Sequence, residues 1–143
     1  MKKVVLFLLP VIILAACQST DKKASAATGD KAAADSTNMT SIEWLDSTDM
    51  HLRPVKEGTI VEVTYRFKNS GTKNLVIENV SASCGCTVPE KPEHAILPGG
   101  EDVIKAKFNS TGKSGSNTKT VTVTANVPGK ETQLHFTVDV TPN

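Results

Sequence analysis

The chain has 143 residues, and 16 basic against 15 acidic side chains leave a formal charge of +1. That is room for one folded domain, with no charge excess that would favour nucleic acid as a partner. The later lysines (Lys105, Lys107, Lys113, Lys119, Lys130) are spread among acids and threonines, as on solvated strand faces, and form no basic patch.

Met1 to Cys17 reads as a lipoprotein signal: Lys2 and Lys3 form a charged start, Val4 to Leu14 an apolar run, and Leu14-Ala15-Ala16-Cys17 a cleavage box. A short apolar segment behind positive charges enters a bilayer with the charges on the cytoplasmic side, and small residues before the cysteine give a protease access to the backbone. The run is shorter than the about 20 residues a spanning helix needs. Pro10 within it and the polar tract after Cys17 likewise disfavour an uncleaved anchor. The expectation is a signal over residues 1–16, removed to leave Cys17 as the lipid-bearing first residue; losing Lys2 and Lys3 takes the formal charge from +1 to −1. Two or three acyl chains make such anchoring stable. Gln18 stands where an aspartate commonly retains lipoproteins at the inner membrane, so the expected location is the outer membrane, on its periplasmic face or at the cell surface.

Residues 17–40 are expected to be the lipidated cysteine and a tether. The stretch from Gln18 to Thr40 is built from Ala, Ser, Thr, Lys and Asp with no Leu, Ile, Val or aromatic residue, and cannot bury enough apolar surface to offset its ordering entropy. As a flexible coil it would span on the order of 25–30 Å.

Residues 41–143 carry strand patterning. Ile42, Trp44 and Leu45 open it; Val61, Val63, Tyr65 and Phe67 alternate with Glu62, Thr64, Arg66 and Lys68; Leu75 and Ile77 supply a further strand. Ile104, Ala106 and Phe108 alternate with Lys105 and Lys107, and Val121, Val123 and Ala125 with Thr120, Thr122 and Thr124. Leu134, Phe136, Val138 and Val140 alternate with His135, Thr137 and Asp139. Asn69-Ser70-Gly71, Pro98-Gly99-Gly100, Ser114-Gly115 and Pro128-Gly129 supply the reversals. About seven short strands with one half-buried face each describe an all-β, two-layer antiparallel sandwich of immunoglobulin-like type. Trp44, Tyr65, Phe67, Phe108 and Phe136 are its expected core aromatics.

With Cys17 lipidated, Cys84 and Cys86 are left as a pair in Ser83-Cys84-Gly85-Cys86-Thr87. Outside the cytoplasm a disulfide is permitted. Residues i and i+2 of a strand lie near the long end of the disulfide range, so Gly85 is expected to relax the backbone and let a small, strained ring close. Four readings stay open: a structural staple or plain packing with one cysteine buried and inert, thiol redox chemistry, a soft-metal site for Cu(I) or zinc, and covalent linkage to a partner. His94, or Met50-His51, would have to complete a metal site, since the usual second Cys or His pair at ligand spacing is missing.

Other chemistry has no template in the chain. Gly112-Lys113-Ser114-Gly115 lacks the upstream glycine of a phosphate loop and lies between strands, so it reads as a turn. His51, His94 and His135 are scattered, with His135 expected to be solvated on a polar face, and no carboxylate pair has an apolar surround that would tune it for acid–base work. No catalytic residue and no small-molecule substrate are expected. Asp35-Ser36-Thr37 and Asp46-Ser47-Thr48 match short acidic-serine O-glycosylation signals, which marks Ser36 and Ser47 as acceptors.

Lys56-Glu57-Gly58, Tyr65-Arg66-Phe67-Lys68-Asn69-Ser70-Gly71, Leu75-Val76-Ile77, Ser83-Cys84-Gly85-Cys86-Thr87-Val88-Pro89 and Leu97-Pro98-Gly99-Gly100 follow one another in an order that resembles the bacterial family called domain of unknown function 1573. The resemblance runs from about Ile42 to Val140, with Cys-Gly-Cys-Thr as its most specific element. It implies a small immunoglobulin-like module, akin to the domains of pilus chaperones and major sperm protein, that often occurs on an envelope lipoprotein. Leu52-Arg53-Pro54-Val55 departs from the aromatic-Gly pair the family often places there, while Asn126 keeps the family's asparagine. No activity attaches to the family.

The expected function is therefore a membrane-anchored, non-catalytic module that binds or scaffolds another envelope component, with an exposed sheet edge as a ready docking site. The alternative is a thiol redox or metal-binding protein using Cys84 and Cys86. A pilus chaperone is disfavoured, because such proteins resemble two sandwiches and this chain has one.

Overall fold

Alternation along each strand decides which side chains leave water, and the burial follows it. In the computed structural model, which describes residues 38–143, Val63, Tyr65, Phe67, Ile104, Ala106, Phe108, Val121, Val123, Leu134, Phe136, Val138 and Val140 are all buried. Their polar neighbours face out, as a period of two requires. Cys17, Ser36, the signal and most of the proposed tether lie outside the described residues.

The strands are β1 (Ile42–Trp44), β2 (Asp49–His51), β3 (Val55–Lys56), β4 (Ile60–Asn69), β5 (Ile77–Ala82), β6 (Thr87–Glu90), β7 (Glu101–Asn109), β8 (Gly115–Ala125) and β9 (Glu131–Thr141). One sheet has the order β1-β4-β7-β6; the other has β2-β9-β8-β5, with β3 also on β9. Nine segments reduce to the expected seven strands when β1, β2 and β3 are taken as one broken strand that changes sheets. Pro54, which has no N–H to give the ladder, interrupts it between β2 and β3.

The sandwich is the expected one, with a parallel addition to its antiparallel pairing. β1 is antiparallel to β4, but β2 and β3 run parallel to β9. The first strand keeps its direction as it crosses between layers, and β9 happens to run the same way. The arrangement is otherwise that of an immunoglobulin constant-type sandwich.

Two contacts join the layers through the core. Phe108 of β7 and Phe136 of β9 meet edge to face at 6.1 Å, and the Tyr65 hydroxyl on β4 donates to the His135 carbonyl on β9 at 2.8 Å. Trp44, expected in the core, is only half-buried and packs edge-on against Phe67 at 5.6 Å. Lys119, read as a solvated residue, holds an inward register position beside Val121, with its ammonium 5.3 Å from the Phe108 ring centroid. Its stem covers the end of the core while the cation stays on an aromatic face.

The sheet edges are short or interrupted. β5 carries a register shift between Ile77 and Asn79, and the Lys91 ammonium takes the Ile77 carbonyl at 3.0 Å. β6 has 4 residues and includes Pro89; β1, β2 and β3 have 3, 3 and 2. Short strands, bulges, lysine and proline are what keep an edge from pairing with another chain.

Burial, with the Asp49 charge second, pushes the Tyr65 phenol well above its ordinary range. A raised folded-state value means that its contribution to stability is complete below about pH 10, the unfolded value, and is lost as the pH climbs towards the folded one. Tyr65 is the single tyrosine, so tyrosinate absorbance at 295 nm reads it directly. We expect no tyrosinate while the far-ultraviolet dichroism stays native, and its appearance together with alkaline unfolding. Tyr65→Phe should cost about 1–3 kcal/mol in urea unfolding. Titration near pH 10 in the folded protein would contradict this assignment.

Candidate functional site

β4 runs for 10 residues, so its two ends lie about 30 Å apart, and the polar chemistry gathers at those ends. At one, the chain comes into the domain at Asn38–Thr40. Composition assigns Thr40 to the tether, but Thr40 is buried and its hydroxyl donates to Asn69 Oδ1 at 2.9 Å. Asn69 is fully buried. Its Nδ2 donates to the carbonyls of Lys73 (2.7 Å) and Ile96 (2.9 Å), and Oδ1 also accepts from the Gly71 amide at 3.1 Å. The turn signal at Asn69-Ser70-Gly71 thus has a second meaning that the sequence conceals. Gly71 is needed for close approach rather than for a positive φ: a Cβ there would lie 2.5 Å from the Ser41 amide nitrogen and closer still to Thr40 Oγ1.

Asn126 repeats the arrangement on the other sheet. Its Nδ2 donates to the Asn38 and Asn74 carbonyls at 2.8 and 2.9 Å, and Oδ1 accepts from the Val76 amide at 2.8 Å. Beside it lies an open cleft of about 650 Å³ whose walls include Met39, Lys73, Val76, Glu78 and Lys130.

The far end holds the cysteines. β5 belongs to one sheet and β6 to the other, and Ser83–Cys86 is the crossover between them. The crossover is fixed by backbone hydrogen bonds: Ser83 N to Thr120 O at 2.9 Å, Thr87 N to Cys84 O at 3.1 Å, and Asn109 N to Cys86 O at 2.9 Å. The tight turn brings the Cα atoms of Cys84 and Cys86 to 5.3 Å and the two form a disulfide. Gly85 does not do this by special backbone freedom, because it takes no positive φ and nothing lies within 4 Å of a Cβ placed on it.

Both cysteines are half-buried, and Cys86 packs against the core. The hydroxyl of Thr87, a residue 4% exposed, lies 3.6 Å from Cys84 Sγ. A disulfide sulfur has no proton, so the hydroxyl is the donor. On the outer face of the same end, Ile60 and Val88 are 68% and 59% exposed, close to a ladder in which Lys107 bonds Glu90 at 2.6 Å and lies 4.0 Å from Glu62.

The metal reading with Cys84, Cys86 and His94 is not assembled. His94 pairs with Asp102 at 3.2 Å, and Asp102 lies seven residues up β7 from Asn109, the neighbour of Cys86, or about 24 Å. His51 is on β2, three strand spacings or about 14 Å across the sheet from the Ser83 position. Among the described residues no three His, Cys, Asp or Glu side chains converge on a point that could hold a metal ion. His135, expected to be solvated, is half-buried with Nδ1 3.1 Å from Thr120 Oγ1. Ser47 is exposed, while its neighbour Asp46 is held by Arg66 Nη2 at 2.7 Å, which keeps the carboxyl below its usual range.

The family model described as protein of unknown function (DUF1573) matches residues 42–140. Among solved structures, a protein of unknown function from Porphyromonas gingivalis W83 superposes with a TM-score of 0.63 at 15% identity, over 75% of this chain and 50% of that one. This chain therefore spans half the length of that relative. The ASH/PapD-like domain 7 of human CEP192 gives 0.59 at 10% identity over 74% and 89%, and the YadV chaperone 0.53 at 16% over 69% and 51%. At these identities the likeness is one of fold. No curated protein matches the sequence.

Two outcomes follow from the two ends. Asn69→Ala leaves the Thr40 hydroxyl and the Lys73 carbonyl without the asparagine, while the Ile96 carbonyl keeps the Leu75 amide, and should cost about 1–3 kcal/mol in chemical denaturation. A loss under about 1 kcal/mol would show that the asparagine is dispensable. The Cys84→Ser/Cys86→Ser double variant should unfold only about 5–10 °C lower, because a bridge closing so short a loop restrains the unfolded chain by about 1–2 kcal/mol. Failure to fold would make the bridge a true staple.

Proposed function

The chain belongs to the DUF1573 family, and from that premise we propose that it is a membrane-anchored envelope lipoprotein whose PapD-like, immunoglobulin-like module binds or scaffolds another envelope protein without catalysing a reaction. The observation that carries this reading is the opposition of the two ends. The chain comes in beside Asn69 and Asn126, whereas the exposed apolar pair Ile60 and Val88 stands at the far end of the same sandwich. Val76 and Leu97 are exposed beside the entry as well, but a module held at that end has Ile60 and Val88 as the exposed apolar side chains away from its attachment.

Supporting this, the sheet edges are blunted, which leaves faces and loops as the places to dock. Ile60 and Val88 stand on either side of Lys107, which bonds Glu90 and approaches Glu62, so the face mixes exposed apolar side chains with charges that a protein partner could pair. The fold neighbours include a chaperone and a PapD-like domain, which fits a binding role. The signal reading of Met1 to Cys17 supplies the anchor, with lipid on Cys17 and the outer membrane as the location.

Two measurements test the reading separately. Cys17→Ser should abolish metabolic labelling with palmitate and move the protein out of the membrane fraction; continued labelling would refute the anchor. Crosslinking in intact cells, compared between the native chain and Ile60→Lys/Val88→Glu, tests the surface. The new charges face Glu62 and Lys107, so stability should stay within about 0.5 kcal/mol. We expect at least a tenfold loss of the crosslinked species. Undiminished crosslinking would place the contact elsewhere.

A further inference from the structure

A disulfide between residues two apart does little that the backbone does not already do. The crossover is held by its own hydrogen bonds to β8 and β7, and a bridge that closes so short a loop constrains the unfolded chain far less than a long-range one. A small ring is also the kind that an incoming thiolate opens readily. Around this bridge the fold has placed groups that favour one sulfur over the other. Thr87 is buried at a position facing Phe108 across the β6–β7 pair, where an apolar residue would pack equally well. The side-chain partner of its hydroxyl is Cys84 Sγ. Over the Phe108 ring lies the Lys119 ammonium, which brings a cation to the same end of the core. A hydroxyl donor at the sulfur stabilises a thiolate, and a cation at the same end of the core acts in the same sense through its field.

We propose that Cys84–Cys86 is a thiol–disulfide exchange site that takes two electrons from a protein dithiol, with Thr87 as the positioning residue for the leaving sulfur. A thiolate of the dithiol attacks Cys86 Sγ. A mixed disulfide forms to Cys86, the Cys84–Cys86 bond breaks, and its electron pair leaves on Cys84 as a thiolate that accepts the Thr87 hydroxyl bond. The partner's second thiolate then attacks its own sulfur in the mixed disulfide and releases Cys86. The partner leaves oxidised to a disulfide, and two protons from its thiols end on Cys84 and Cys86. The exchange consumes the bridge once per chain, so it is stoichiometric rather than catalytic and is independent of the docking surface proposed above.

The test uses the full chain with Cys17→Ser, equilibrated with mixtures of reduced and oxidised glutathione and read by alkylation and mass. The native pair should open within the range these mixtures span and should oxidise dithiothreitol stoichiometrically. Thr87→Val should need about tenfold more reducing conditions to open, equivalent to about 30 mV for a two-electron couple. Thr87→Ser should restore the native equilibrium, and Lys119→Met should shift it in the same direction as Thr87→Val. A merely structural threonine would alter the stability of both redox forms and leave this equilibrium unmoved. Should the valine variant not fold, the reduced native chain decides: Cys84 should be alkylated well below the ordinary thiol range of about pH 8.5. A pair that stays closed in excess glutathione overturns the proposal, as does a Thr87→Val equilibrium within twofold of native or an ordinary alkylation profile for Cys84.

Discussion

Asn69 offers two donors and two acceptors, and all four are used where water does not reach. The incoming chain, the turn after β4 and the loop before β7 meet at this one amide. Backbone pairs serve part of the junction, with the Ser41 and Ile96 carbonyls taking the Ser70 and Leu75 amides, but the Thr40 hydroxyl, the Lys73 carbonyl and the Gly71 amide turn to the asparagine. A buried carbonyl left without a donor costs more than an ordinary hydrogen bond supplies, so the packing of this end depends on one side chain having four functions at once. An aspartate would be isosteric but would bring no donors, and a leucine would fill the space and leave the Thr40 hydroxyl, the Lys73 carbonyl and the Gly71 amide without the asparagine. Among the described residues every buried side-chain polar atom has a partner, and Asn69 accounts for the densest part of that balance.

The second constraint is the path of the first strand. Because it starts on one sheet and finishes on the other, it closes the side of the sandwich between β4 and β9 that would otherwise expose two edges. The opposite side is closed differently, by the Ser83–Cys86 crossover together with Lys91 and Pro89. With both sides closed, the ends and faces are what the domain has left to offer a partner. One end is taken up by asparagines holding the incoming chain. The other carries a disulfide, an apolar pair and a cation over an aromatic ring.

That second end joins the structural and chemical readings of the cysteines. The bridge sits at the joint between layers, where a tight turn is needed whatever its chemistry, and hydrogen bonds from three strands already make that turn. What the disulfide adds is a bond on a half-buried ledge beside a buried hydroxyl. The layer contacts through Phe108–Phe136 and Tyr65–His135 keep the ledge rigid from below.

Much of this could be read from the residues in order. Period-two runs such as Val61 to Phe67 and Leu134 to Val140 specify strands and their buried faces, because a one-residue slip would put every apolar side chain in water. The turns at Pro98-Gly99 and Pro128-Gly129 and the family pattern from Ile42 to Val140 were legible in the same local way, whereas the state of Cys84 and Cys86 was one of several open readings. What the sequence could not show was any relation whose meaning lies in distance through space. Thr40 looked like tether until Asn69, 29 residues on, supplied its partner. Lys119 looked solvated until the Phe108 ring came beneath it. His94 looked available to the cysteines until β7 placed it at the opposite end of the sandwich. Local pattern determined the strands and their faces, since burial acts on each residue in turn. Only the folded sandwich decided which polar groups meet, since a hydrogen bond is satisfied by whatever the fold brings within 3 Å of it.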